Sequence, residues 1–134
     1  MKRLSLMFLL LVSFVSLCSA QTVESVKKQA EIKFDETTYD FGRFPESSPV
    51  QTCKFTFTNT GNDLLLIHQA IASCGCTVPK YSKEPIKPGE KGSITVTYNG
   101  NGKIPGVFKK SVTLRTNART EMIRIYITGE MEKD

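Results

Sequence analysis

The chain has 134 residues, of which 18 are Lys or Arg and 13 are Asp or Glu, giving a formal net charge of +5. That length suits a single domain around one core. The positive charge is spread along the chain and forms no concentrated basic face, which excludes nucleic acid as a partner.

Lys2 and Arg3 precede an apolar run from Leu4 to Leu17, and Cys18-Ser19-Ala20 places small side chains where a signal peptidase reads. Residues 1–20 are therefore expected to be a signal peptide cleaved before Gln21. The product is expected to be exported, either periplasmic or secreted. The run falls short of the about 20 residues that a bilayer span needs. No second apolar run follows, so no transmembrane segment is expected in the mature chain. Cys18 offers a rival reading, as the lipid-accepting residue of a lipoprotein. Leu17 counts against it, because such a signal wants a small residue at that place.

Residues 21–31 are polar and lack apolar periodicity, as in a spacer or a frayed helix. From residue 32 the pattern repeats every two residues. Phe55 and Phe57 alternate with polar neighbours, as do Ile94, Val96 and Tyr98, then Val112 and Leu114, then Ile123, Ile125 and Ile127. Such alternation suits strands with one face on a core and one in water. Seven strands are predicted, near Ile32–Phe34, Tyr39–Phe41, Val50–Asn59, Leu64–Ala72, Ser93–Tyr98, Phe108–Thr116 and Glu121–Gly129.

Turn chemistry separates them. Asn59-Thr60-Gly61-Asn62-Asp63 predicts a hairpin. Pro88-Gly89 suits a type II turn, and Asn99-Gly100-Asn101-Gly102 a flexible connection. Seven short strands in about 100 residues point to an all-β, immunoglobulin-like β-sandwich over residues 32–134. The chain lacks tryptophan, which excludes the antibody-type core.

Four segments follow in a recognisable order: Tyr39-Asp40-Phe41-Gly42, then Phe55 to Gly61, then Ser73-Cys74-Gly75-Cys76-Thr77-Val78-Pro79, then Pro85 to Gly92. In these the chain resembles the bacterial exported family called domain of unknown function 1573. The resemblance covers Ile32 to Glu130 and implies an immunoglobulin-like fold, but no particular activity. Cys53 departs from the family pattern, so no role carries over to it.

Cys74-Gly75-Cys76 is the segment that holds chemistry. In an oxidising compartment the three cysteines left after signal removal, Cys53, Cys74 and Cys76, are disulfide or thiol candidates, with one left over. A Cys74–Cys76 bridge requires the backbone to bend, which Gly75 is expected to ease. It closes a very small ring and should reduce more readily than an ordinary structural disulfide. If residues 59–63 close a hairpin, Cys53 faces the neighbourhood of Ala70 and comes near the same pair. A structural bridge is the preferred reading. Thiol-redox chemistry lacks a helix N-terminus or a Cys-x-x-Cys frame. A closed zinc site needs four ligands, and His68 is the one histidine, expected half-buried in a strand. Copper(I) on Cys74 and Cys76 remains the metal alternative; no cofactor is expected.

Catalytic constellations are wanting. No Gly-x-Ser-x-Gly elbow accompanies His68. Asp35 and Glu36 are neighbours that point to opposite faces of a strand. Tyr39, Phe41 and Phe44 are assigned mostly to core packing. The expectation is a non-enzymatic binding or scaffolding module of the bacterial cell envelope, with a protein or envelope component as its partner. The alternative is a thiol-redox or copper(I)-handling protein built on Cys74 and Cys76.

Overall fold

A computed structural model describes residues 24–134; the expected signal peptide, its cleavage site and Cys18 lie outside the described residues. Eight strands form: β1 (Ile32–Phe34), β2 (Thr38–Pro45), β3 (Val50–Asn59), β4 (Ile67–Ala72), β5 (Thr77–Tyr81), β6 (Lys91–Asn99), β7 (Gly106–Thr116) and β8 (Met122–Glu132). They make two four-stranded sheets, one ordered β1-β3-β6-β5 and the other β2-β8-β7-β4. All pairings are antiparallel except β2 with β8, which run parallel. This is an immunoglobulin-like sandwich whose first strand is divided between the sheets as β1 and β2.

The alternation read from the sequence becomes the core. Phe55, Phe57, Ile94, Val96, Val112, Leu114, Ile125 and Ile127 are each at most 3% exposed. They are inward positions of the four central strands, and their burial is the main driving force for stacking the sheets.

Two of the expected features are corrected. The segment 59–63 does not close a hairpin: β3 pairs with β1 and β6, while β4 pairs with β7 in the opposite sheet. Asn59 directs the crossing. Its side chain is fully buried and donates to the carbonyls of Asp63 (2.7 Å) and Ile86 (2.9 Å), and its Oδ1 accepts from Gly61 N–H at 3.0 Å. Cys53 therefore faces Val96 on β6 and not Ala70. The second correction is the strand β5, which adds an eighth. It accommodates Pro79 because β5 is an edge strand, where a missing N–H breaks no ladder.

Lys87-Pro88-Gly89-Glu90 forms the expected turn, with Gly89 at φ +80° and Glu90 N–H donating to the Lys87 carbonyl at 3.0 Å. Residues 24–28 are exposed and irregular, whereas Ala30 is 2% exposed. Gln29 and Glu31 backbones meet Asn62 and Thr60, so the end of the polar stretch packs on the domain.

Candidate functional site

The β2–β3 turn, the β4–β5 corner, the β6–β7 loop and the end of β8 share one end of the sandwich. The corner holds Cys74 and Cys76. After Ala72, Ser73 N–H donates to the Ser111 carbonyl (2.9 Å) and Ser73 Oγ accepts from Ser111 N–H (3.1 Å). The chain then turns out of one sheet and into the other. Thr77 N–H donates to the Cys74 carbonyl at 3.1 Å, and Asn99 N–H to the Cys76 carbonyl at 2.7 Å.

A disulfide joins Cys74 to Cys76 across a Cα separation of 5.1 Å, within the ordinary range for such bridges. Cys76 is buried in the core, while Cys74 packs half-buried against it. Gly75 does not take the part expected of it. Its φ is not in the left-handed region, and a Cβ built on it meets nothing within 4 Å. Hydrogen bonds at Thr77 and Asn99 hold the bend instead.

The third cysteine is not brought to this pair. Cys53 is unbridged and 6% exposed on β3, facing inward. Burial pushes its thiol up to about 11, against a smaller lowering from the Val96 backbone. A thiol so poorly ionised is a weak nucleophile at neutral pH. His68 sits exposed at a bulge of β4, not half-buried as expected. Among the described residues no group of three His, Cys, Asp or Glu side chains is arranged to hold a metal ion. Of the aromatic trio, Phe44 is buried and Phe41 packs against the core. Tyr39 is 40% exposed, with its ring edge-on to Phe41 at 5.2 Å.

Several exposed apolar side chains lie at this end, although Val26, Met122 and Leu64 are exposed elsewhere. Ile104 is 92% exposed in the β6–β7 loop and Val107 is 80% exposed at the start of β7. Val50 and Val78, near the starts of β3 and β5, are each about half exposed. The sequence signal for these positions was Ile104 standing alone in a stretch of turn residues, where nothing local calls for an apolar side chain. A cleft of about 440 Å³ at the opposite end has Lys80 and Lys91 on its rim, but its floor is buried core such as Phe57 and Ile67.

A family model described as Protein of unknown function (DUF1573) matches residues 32–131. The chain belongs to this family. The matched region contains all the strands of the sandwich but the last residue of β8. No curated protein matches the chain significantly.

Solved structures share the fold at low identity. A protein of unknown function from Porphyromonas gingivalis W83 is 14% identical with a TM-score of 0.70, covering 83% of this chain and 51% of that one. The chain thus spans about half the length of that protein. The PapD-like domain 7 of human CEP192 is 8% identical with a TM-score of 0.62, covering 89% of this chain and 97% of that domain. The periplasmic chaperone SfaE is 13% identical with a TM-score of 0.56, covering 76% and 58% respectively. At these identities the likeness is one of fold.

Proposed function

We propose that this member of the family is an exported, non-enzymatic binding or scaffolding module of the bacterial cell envelope, and that its docking surface is the disulfide end. The observation that carries this reading is the exposure of Ile104 and Val107 beside a corner braced by a covalent bridge. Exposed apolar side chains that join into one patch mark protein interaction sites, and a braced corner loses little conformational freedom on binding. The occurrence of the fold in a periplasmic chaperone is in keeping with it.

The alternative is thiol-redox or copper(I) chemistry at Cys74 and Cys76, favoured by the half-exposed position of Cys74. Both uses require the bridge to open. Thiol counting on protein taken from its native compartment separates the two readings: a bridge that stays closed supports the docking module.

The direct test places a photo-crosslinking residue at Ile104, with a matched one at Leu64 at the opposite end. Specific adducts from Ile104 and none from Leu64 are expected in the native envelope. Adducts from neither position, or turnover of a small molecule by the purified protein, overturn the reading.

A further inference from the structure

The docking surface proposed above has an open strand edge, and this inference rests on that reading. Thr116 N–H donates to the Glu121 carbonyl at 2.8 Å. The β7–β8 register runs unbroken from Gly106 to Arg115, so alternate residues repeat that bond. Phe108 and Lys110 thus direct their backbone groups at β8. Val107 and Lys109 direct theirs the other way, into the lane that β4 fills further along. There Ser73 N–H bonds to Ser111, and the β4 register continues to Thr116. Past Ser73 the disulfide corner takes the chain away to the other sheet. Among the described residues no backbone group pairs with Val107 or Lys109 on that side.

Three of the other edges carry blocking devices, on β1, β5 and β2, while the outer side of β4 stays open at Ala70 and Ala72. On β1, the Ile32 N–H donates to Glu31 Oε1 at 3.0 Å. On β5, Thr77 N–H is used by Cys74 and Pro79 has none to give. β2 is broken by an irregularity between Asp40 and Arg43 and ends in Pro45. Natural sheets blunt their edges in these ways. The lane beside Val107 has no proline, bulge or side-chain cap, and its own edge charge is Lys109. A Cβ added at Gly106 or Gly75 meets nothing within 4 Å, so the faces of the sheet beside the lane are uncrowded at these two positions.

We infer that residues 106–110 of β7 accept an extended, acidic segment of a partner protein as an added strand continuing the line of β4. Charge selects the occupant. Lys109 and Lys110 lie on β7 itself and Lys103 in the loop before it, with Lys109 Nζ resting 4.6 Å from the centre of the Tyr126 ring on β8. The nearby carboxylates Glu130 and Glu132 are both engaged by Arg43, at 3.2 and 3.6 Å. Pairing with a second copy would gather Lys109 and Lys110 of both chains along one seam, which like-charge repulsion disfavours. Val107 and Ile104 offer apolar contact to alternate residues of the incoming strand, which is how strand addition obtains selectivity.

The probe is a capped nine-residue peptide alternating valine and glutamate, with a valine–lysine counterpart, read by amide hydrogen exchange and by affinity. In the free protein the Val107 and Lys109 amides should exchange fast while Phe108 and Lys110 are protected. The valine–glutamate peptide should slow Val107 and Lys109 and bind at least tenfold more tightly than the lysine version. Lys109→Pro removes the lane-facing N–H together with the charge and should weaken the peptide about tenfold, whereas Lys109→Ala removes the charge alone and should keep more of the affinity. Slow exchange of Val107 and Lys109 in the free protein, protection elsewhere or nowhere, or equal affinity of Lys109→Pro overturns the inference. Protection that rises with protein concentration alone assigns the lane to a second copy and also overturns it. Crosslinks at Ile104 that persist in Lys109→Pro leave the docking surface standing and remove strand addition. Peptide protection without any native crosslink does the reverse.

Discussion

Asn59 Nδ2 donates to the Ile86 carbonyl at 2.9 Å from a position with no solvent exposure, tying the end of β3 to the strap that precedes β6. The same side chain serves Asp63 and Gly61, while its backbone exchanges bonds with Gly89 and Glu90. One polar residue inside the core thereby holds the β3–β4 crossing and the β5–β6 connection in register. Asn59→Ala should cost about 2–4 kcal/mol, because several buried donors and acceptors lose their partner together. Asn59→Asp should be worse, since it turns a carboxylate oxygen toward two carbonyls. Urea unfolding of both variants checks the order.

Gly61 has no room for a side chain: a Cβ there runs into the backbone of Gln29, Ala30 and Glu31. Gly61→Ala should push that segment off the domain and expose Ala30. Fast amide exchange at residues 29–31, with the central strands unchanged, is the expected signature. A variant whose residues 29–31 remain protected would show that the loop absorbs the methyl group.

The Cys53 thiol is raised by burial from 9.0 to about 11. The folded state therefore holds its proton more tightly than the unfolded state does. The associated stability is fully present below about pH 9 and falls as pH climbs toward about 11. Cys53→Ala should flatten that part of the pH–stability curve. Alkylating reagents should label Cys53 in the native protein only as fast as it opens.

The Cys74–Cys76 bridge spans a sequence separation of only 2. Loop-closure entropy for so short a ring gives about 1.6 kcal/mol, well below the contribution of a long loop. Reduction, or Cys74→Ser with Cys76→Ser, should leave the sandwich folded with a small fall in its urea midpoint. Loss of cooperative unfolding on reduction would mean that the corner carries more of the fold than its ring size implies.

Gly75→Ala should form the same bridge at the same rate, because the position has open space and an ordinary φ. Gly89→Ala is the contrasting case. At φ +80° a Cβ costs about 1–2 kcal/mol. Disulfide mapping and thermal unfolding of the two variants report the difference.

Local chemistry makes the strand interiors, the Pro88-Gly89 turn and the Cys74–Cys76 pair legible in the sequence. Alternation in Phe55-Thr56-Phe57 or Ile123-Arg124-Ile125 depends only on neighbours along the chain. Pro88-Gly89 limits its own dihedrals, and thiols one residue apart are close whatever the fold. The residues alone thus determined an all-β sandwich with a reactive-looking corner. They did not determine which strand lies beside which, because alternation tells a strand which face to bury and says nothing of its neighbour. Asn59 reads as a turn residue in sequence, yet it is buried and sends β4 to the opposite sheet. That crossing separates Cys53 from Ala70. The exit of the chain at Ser73, which leaves Val107 and Lys109 unpaired, comes likewise from the pairing of strands far apart in sequence. Backbone hydrogen bonds between distant segments exist only once both sheets have formed, so the open edge belongs to the tertiary structure.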